Sequence, residues 1–217
     1  MARKNILLLI VTSIICLLPI CLSVAMYEDL PEKVIMQWNF VGNPNWYAHK
    51  AVIAFGMPLF FMIINIFLFI FISGDPKREN TSKVMRILTQ WFTPLLSLFI
   101  VPLMLFMNMG VKLPIIMIVF VFVGLLFIFI GNYMPKNRQN YTIGIRLPWT
   151  LNNAENWNKT HRLAGILGIL GGISFIVLAF LPFNNVIGII VILTIIILIT
   201  VVPTLYSYYL YKKEGKV

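Results

Sequence analysis

His161 follows Thr160 and lies six residues after Glu155, in the most polar stretch of the chain, residues 131–162 (GNYMPKNRQNYTIGIRLPWTLNNAENWNKTHR). A histidine with a hydroxyl beside it and a carboxylate nearby is the raw material of acid–base catalysis. The spacing argues against that use, because about two turns of helix would separate Glu155 from His161 if the segment is helical. The chain contains no HExxH, no GxSxG, no glycine-rich phosphate loop and no Cys/His cluster, and its other histidine, His49, lies in a different loop. We therefore expect neither an enzyme nor a bound cofactor or metal. Arg146 is harder to read as a surface residue, since it sits between Ile145 and Leu147-Pro148-Trp149. A guanidinium close to apolar surface needs a partner, and a phosphate headgroup, Glu155 or carbonyls at a helix end are the candidates.

The elements that must position these residues are apolar. Of 217 residues 60% are hydrophobic, against about 45–50% in soluble domains. Six uncharged runs, 6–26, 51–72, 87–109, 114–133, 163–183 and 186–210, each reach the roughly 20 residues needed to cross a hydrocarbon core as helix. They are continuous rather than alternating, which excludes a barrel. The expected fold class is all-α: a polytopic membrane protein of six transmembrane helices, with one ordered outer loop and one ordered inner loop. If the loops alternate sides, all of the 17 Lys and Arg except Lys33, Lys50 and Lys112 fall on one face. The positive-inside rule makes that face, and both termini, cytoplasmic. The net charge of +10 thus reads as a topology signal with the lipid bilayer as partner; without a helix-turn-helix, RNP aromatics or a soluble basic domain, no direct nucleic-acid binding is expected. The first run is longer than the roughly 7–15 residues of a secretory h-region and reads as an uncleaved span, with Cys16 and Cys21 as buried packing thiols.

The outer loop, residues 27–50, has an extended start at Leu30-Pro31, strand formers over 34–40 and a turn at Gly42-Asn43-Pro44-Asn45. Trp46 and Tyr47 read as headgroup-level anchors, and Glu28, Asp29 and Glu32 as a solvated acidic cluster. In the inner loop Asn152 through Glu155 resembles a capping box, with Asn152 as N-cap, opening a helix that runs unbroken into the fifth span. On that helix Trp157, His161, Ala164, Gly168 and Gly172 share one face, whose small residues admit a neighbouring helix. Asn65 and Asn108 are the most polar groups at depth, and hydrogen bonding between helices is their expected use.

These residues also carry a resemblance. The run Gly131-Asn132-Tyr133, Asn140-Tyr141, Gly144-Ile145-Arg146, Pro148-Trp149-Thr150-Leu151 and Trp157, Lys159-Thr160-His161-Arg162 is similar to the cytoplasmic-loop signature of the SdpI family of bacterial membrane proteins, G-N-Y…N-Y…G-I-R-T-P-W-T-L…W-x-K-T-H-R. The outer loop resembles that family's preceding DUF1648 region through Leu30, Pro31, Trp38, Asn39, Gly42 and Pro44. Leu147 replaces the usual Thr; Gln37 and Asn45 replace the usual outer His and Asp, which undercuts any proton- or metal-dependent role of that loop.

The resemblance implies a DUF1648-like region over 1–86 and an SdpI-like region of four transmembrane helices over 87–217, with its cytoplasmic loop at 134–162. It implies a membrane immunity protein that protects the bacterium from a secreted membrane-active toxin peptide, and a receptor that sequesters a cytoplasmic repressor at the membrane. The inner-loop functional motif is then Asn132, Asn140, Gly144, Arg146, Pro148, Trp149, Thr150, Trp157, Thr160 and His161, and the outer-loop motif Pro31, Trp38, Asn39 and Gly42. The competing expectation is a secondary transporter or an envelope-stress sensor, since six proline-bearing spans can form broken helices around a central site. Ion-coupled transport usually leaves a charge within a span, however, and the six runs contain none.

Overall fold

The computed structural model describes residues 3–39, 41–181 and 185–214. Phe40, at the end of the expected strand, and residues 182–183, at the end of the fifth apolar run, lie outside them. Among the described residues six helices are long and apolar enough to cross a membrane: Asn5–Met26, Val52–Ser73, Lys83–Asn108, Ile115–Lys136, Ala154–Leu178 and Val186–Lys213. The chain packs as two compact units, Met1–Gly74 with Ile87–Pro114, and Asp75–Arg86 with Ile115–Val217.

In the first unit α1 (Arg3–Leu17) and α2 (Pro19–Met26) form one span, broken where Pro19 has no N–H to continue the ladder. The loop that follows is a hairpin of β1 (Lys33–Trp38) and β2 (Pro44–His49), antiparallel, with Ile35 opposite Tyr47. A π-helical turn, Val52–Gly56, leads into α3 (Met57–Ser73), and most of α4 (Lys83–Asn108) completes the unit. Cys16, Leu30, Val34, Ile53, Val101 and Leu105 form its core, so the hairpin is seated by Val34 and is no free arm. Asn65 Nδ2 donates to the hydroxyls of Thr12 at 3.0 Å and Ser13 at 3.2 Å, the expected tie between helices, and Ser97 Oγ donates to the Cys16 carbonyl at 2.7 Å.

Two expectations change here. Asn108 does not bridge helices: its Oδ1 accepts from the Ile35 N–H at 2.6 Å and its Nδ2 donates to the Ile35 carbonyl at 3.1 Å. A side-chain amide carries the same donor and acceptor as a peptide group, so Asn108 pairs with β1 as a neighbouring strand would. Cys16 is buried as expected, but Cys21 is exposed, because it falls on the face of α2 turned from the core.

In the second unit α5 (Ile115–Tyr133), α7 (Ala154–Leu178) and α8 (Asn185–Glu214) pack side by side, and α6 (Pro148–Asn152) is a short helix within the loop. The α5–α7 contact is backbone against backbone. A Cβ built on Gly172 would meet the Gly124 carbonyl oxygen at 2.5 Å, and one built on Gly131 would meet the Gly165 carbonyl oxygen at 2.7 Å. With no hydrophobic drive between helices in lipid, such close approach supplies the dispersion contact that holds them. Phe175 fills the space beside it, stacked on Phe127 and edge-on to Phe120.

Candidate functional site: the loop between the fourth and fifth long helices

The chain leaves α5 through a single 3₁₀ turn, Met134–Lys136, forced by Pro135. Asn137, fully buried, then takes three partners. Its Oδ1 accepts from the Ser82 N–H at 2.9 Å, its Nδ2 donates to the Tyr133 carbonyl at 3.3 Å, and its carbonyl accepts from the indole N–H of Trp157 at 2.8 Å. The segment 75–86 runs alongside. Asn80 exchanges bonds with Arg138 and Gln139, and the buried Asp75 carboxylate accepts from the Lys77 N–H, the Tyr141 N–H and the Thr142 hydroxyl at 2.7–2.9 Å. Asn140, also buried, folds the next turn on itself: Oδ1 accepts from the Thr142 and Ile143 N–H groups and Nδ2 donates to the Arg138 carbonyl.

Gly144 follows with φ +115°, a conformation that L side chains rarely adopt. A Cβ there would run into His161 Nε2. His161 is fully buried and stacked on Trp157, ring centroids 3.9 Å apart. Its Nε2 accepts from the Ile145 N–H at 3.0 Å, which requires that atom to be unprotonated; the ring proton is then on Nδ1, donated to the Trp157 carbonyl at 2.8 Å. Both nitrogens are thus engaged by backbone, and His161 holds the Gly144 turn against α7.

Thr150, fully buried, closes the other side of the turn, accepting from the Leu147 N–H at 2.9 Å and donating to the Ile145 carbonyl at 2.8 Å. Pro148 opens α6 at its first position, where no N–H is needed. The indole N–H of Trp149 donates to Ser207 Oγ on α8 at 2.8 Å, and its ring packs on Tyr208 and Tyr211. Ser207 Oγ donates in turn to Asn156 Oδ1 at 2.8 Å, the Thr160 hydroxyl donates to the same oxygen at 3.0 Å, and Asn156 Nδ2 donates to the Ser207 carbonyl at 3.0 Å. α6, α7 and α8 are joined by this one buried network.

The expected inner-loop residues therefore separate. Asn140, Gly144, Thr150, Trp157, Thr160 and His161 come together as the interior of a folded loop; Arg146, Pro148 and Asn132 are exposed, and Trp149 is half-buried. Two readings are corrected. The N-cap of α7 is Asn153, accepting from the Glu155 and Asn156 N–H groups, and not Asn152, which ends α6; a cap needs extended backbone, and α6 keeps Asn152 helical. Arg146 does not pair with Glu155 or with a carbonyl at a helix end: Nη1 donates to the Tyr141 carbonyl within the loop, while Glu155 pairs with Lys159 at 2.6 Å. Sequence reasoning misses Asp75, Asn80, Asn137, Gln139, Asn156 and Ser207. Asp75-Pro76 carries a turn signal; a single serine in an apolar helix, such as Ser207, carries none.

The outer motif is likewise built into its own turn. Asn39 Oδ1 accepts from the Val41 and Asn43 N–H groups at 3.1 and 2.8 Å, and Gly42 has φ +89°. Trp38 packs on the core of the first unit, Pro31 is exposed, and Trp46 and Tyr47 stand 53% exposed on β2. Glu32 bonds Lys50 at 3.1 Å and His49 at 3.2 Å; Lys50 first, then His49, holds its carboxyl below the usual range.

Six membrane-length helices among the described residues, a β-hairpin and a loop folded around buried polar groups define the class: a polytopic helical membrane protein whose interhelical loop is a packed structure. Residues 136–207 match the SdpI/YfhL protein family, and residues 14–62 match DUF1648, a domain of unknown function. The chain is 30% identical over 164 residues to "Immunity protein SdpI" of Bacillus subtilis (strain 168), covering 75% of this chain and 74% of that one. No solved structure matches. The chain belongs to the SdpI family and is a multi-pass protein of the bacterial cell membrane.

Proposed function

We propose that this protein is a membrane immunity protein that protects its bacterium against a secreted membrane-active toxin peptide, and that it signals by binding a cytoplasmic repressor. The observation that carries the reading is the 30% identity to an immunity protein over three quarters of both chains. The distribution of basic residues supports a cytoplasmic loop 134–162 and an outer hairpin. The exposed Trp46 and Tyr47 offer an apolar peptide a docking surface, while Arg146, Pro148 and Trp149 offer a repressor a fixed one. A loop with its polar interior satisfied holds such groups in place at little entropic cost on binding.

The test is survival of a toxin-sensitive bacterium expressing this chain. We expect protection from the wild-type protein and its loss in Arg146→Ala and Trp149→Ala variants of equal membrane abundance. Unprotected cells with wild-type protein in the membrane would refute immunity to that peptide, and full protection by both variants would remove the loop surface from the mechanism.

A further inference from the structure

Beneath the Gly144 turn the second unit contains a cavity of about 420 Å³, open on one side, within the roughly 300–1,000 Å³ typical of ligand sites. Its walls include Phe127, Ile130, Met134, Ile145, Ile199 and Thr200. The threonine hydroxyl protons and the Ile145 peptide groups in these walls are already used. The Thr200 hydroxyl donates to the Ile196 carbonyl at 2.7 Å, the Thr204 hydroxyl donates to the Thr200 carbonyl at 2.8 Å, the Ile145 N–H is held by His161, and the Ile145 carbonyl accepts from Thr150. A polar solute would lose its hydration and gain little from these mostly apolar walls, so the site suits hydrocarbon.

The helices that enclose it, α5, α7 and α8, are all of membrane length, and Thr200 is exposed on α8. The hydrocarbon at hand is an acyl chain. Two wall residues are followed closely by cations: Met134 by Lys136 and Ile145 by Arg146. Among the described residues the Arg146 guanidinium makes one hydrogen bond, from Nη1 to the Tyr141 carbonyl, out of five donors available. Its remaining N–H groups match phosphate.

We propose that this cavity is a binding site for an anionic phospholipid, with an acyl chain beneath Gly144–Ile145 and the headgroup phosphate against Arg146. In lipid the acyl chain gains no hydrophobic free energy by entering, so selectivity comes from the headgroup. The loop is then seated on a bound lipid, and its fold depends on the membrane around it.

The full-length protein is reconstituted in vesicles of equal phosphatidylglycerol and phosphatidylethanolamine and extracted in mild detergent, and retained phospholipid per chain is measured by mass spectrometry. Wild type retains phospholipid enriched about fivefold in phosphatidylglycerol, the factor corresponding to about 1 kcal/mol for one Arg near a headgroup. Thr200→Trp fills the cavity and loses that lipid, whereas Thr194→Trp, the same change on the exposed face of α8 outside the cavity, keeps it. Arg146→Gln retains lipid without the preference. Equal retention in the two Trp variants overturns the site, and retention in vesicle proportions by wild type overturns the headgroup assignment. Should Thr200→Trp fail to accumulate, Thr200→Leu and Thr204→Leu carry the same comparison with smaller side chains.

Discussion

Replacing Gly144 by alanine adds one methyl group and attacks the loop at two points. The backbone at φ +115° is open to glycine and strained for any other residue, a cost of about 1–3 kcal/mol. The new Cβ also collides with His161 Nε2, so the Ile145 N–H···Nε2 bond must break, leaving a buried ring nitrogen without its donor at a further cost of about 1–3 kcal/mol. The sum, about 2–6 kcal/mol, falls on the turn and not on the helices, whose α5–α7 contact lies elsewhere on α7. Even the lower figure raises the population of the opened loop about thirtyfold, since each 1.4 kcal/mol is a factor of ten. Hydrogen exchange of the protein in lipid nanodiscs reads this directly. The amides of Ile143 and Ile145 should exchange at least that much faster in Gly144→Ala, while those within α5 and α7 keep their protection. Unchanged exchange at Ile143 and Ile145 would show that the Gly144–His161 contact does not hold the turn, and would refute the role of His161 as its anchor.

Gly168→Leu forces a branched side chain against Gly131 Cα, which already lies 3.3 Å from where a Cβ would be; overpacking of about 1–3 kcal/mol or more should lower the yield of monodisperse protein on size exclusion, and a wild-type yield would refute the tight α5–α7 contact. Asp75→Asn turns one acceptor into a donor facing the Lys77, Tyr141 or Thr142 donors, so the loop should be destabilised by about 1–3 kcal/mol, seen as faster exchange of the Tyr141 amide. Glu32 has a lowered carboxyl pKa in the folded hairpin, so its stabilising contribution is present above the unfolded pKa and is lost as the pH falls through the lowered folded value. The Lys50 amide, which donates to the Glu32 carbonyl, should lose protection over that acidic window in wild type and show no such pH dependence in Glu32→Gln.

Part of the candidate site is legible without coordinates, and particular residues show why. Helical period alone places Trp157, His161, Ala164, Gly168 and Gly172 on one face, and all five are buried on α7. The outer turn follows from Gly42 and its asparagine and proline neighbours, because positive φ and Asx bonding are properties of those residue types. The apolar neighbours of Arg146 mark it as needing a partner, yet the partner is the Tyr141 carbonyl, a backbone atom that no residue pattern marks. The cap of α7 falls one residue later than the sequence pattern places it, because Asn152 and Asn153 are equally good caps and α6, closed by Thr150, decides between them.

Composition and the length of its apolar runs determined by themselves that this chain crosses a membrane six times as helix, since the hydrocarbon core demands about 20 apolar residues per span and internal pairing of every backbone group. Local chemistry likewise determined where the hairpin turns. Only the tertiary structure decided what the polar residues between the spans do. Asp75 reaches Tyr141 and Thr142, Trp149 reaches Ser207, and Asn137 joins Ser82 to Trp157, across separations of as many as 67, 58 and 55 residues respectively. Such bonds form because polar groups buried together must satisfy one another, and the packing of the helices, which no local pattern encodes, determines which ones meet.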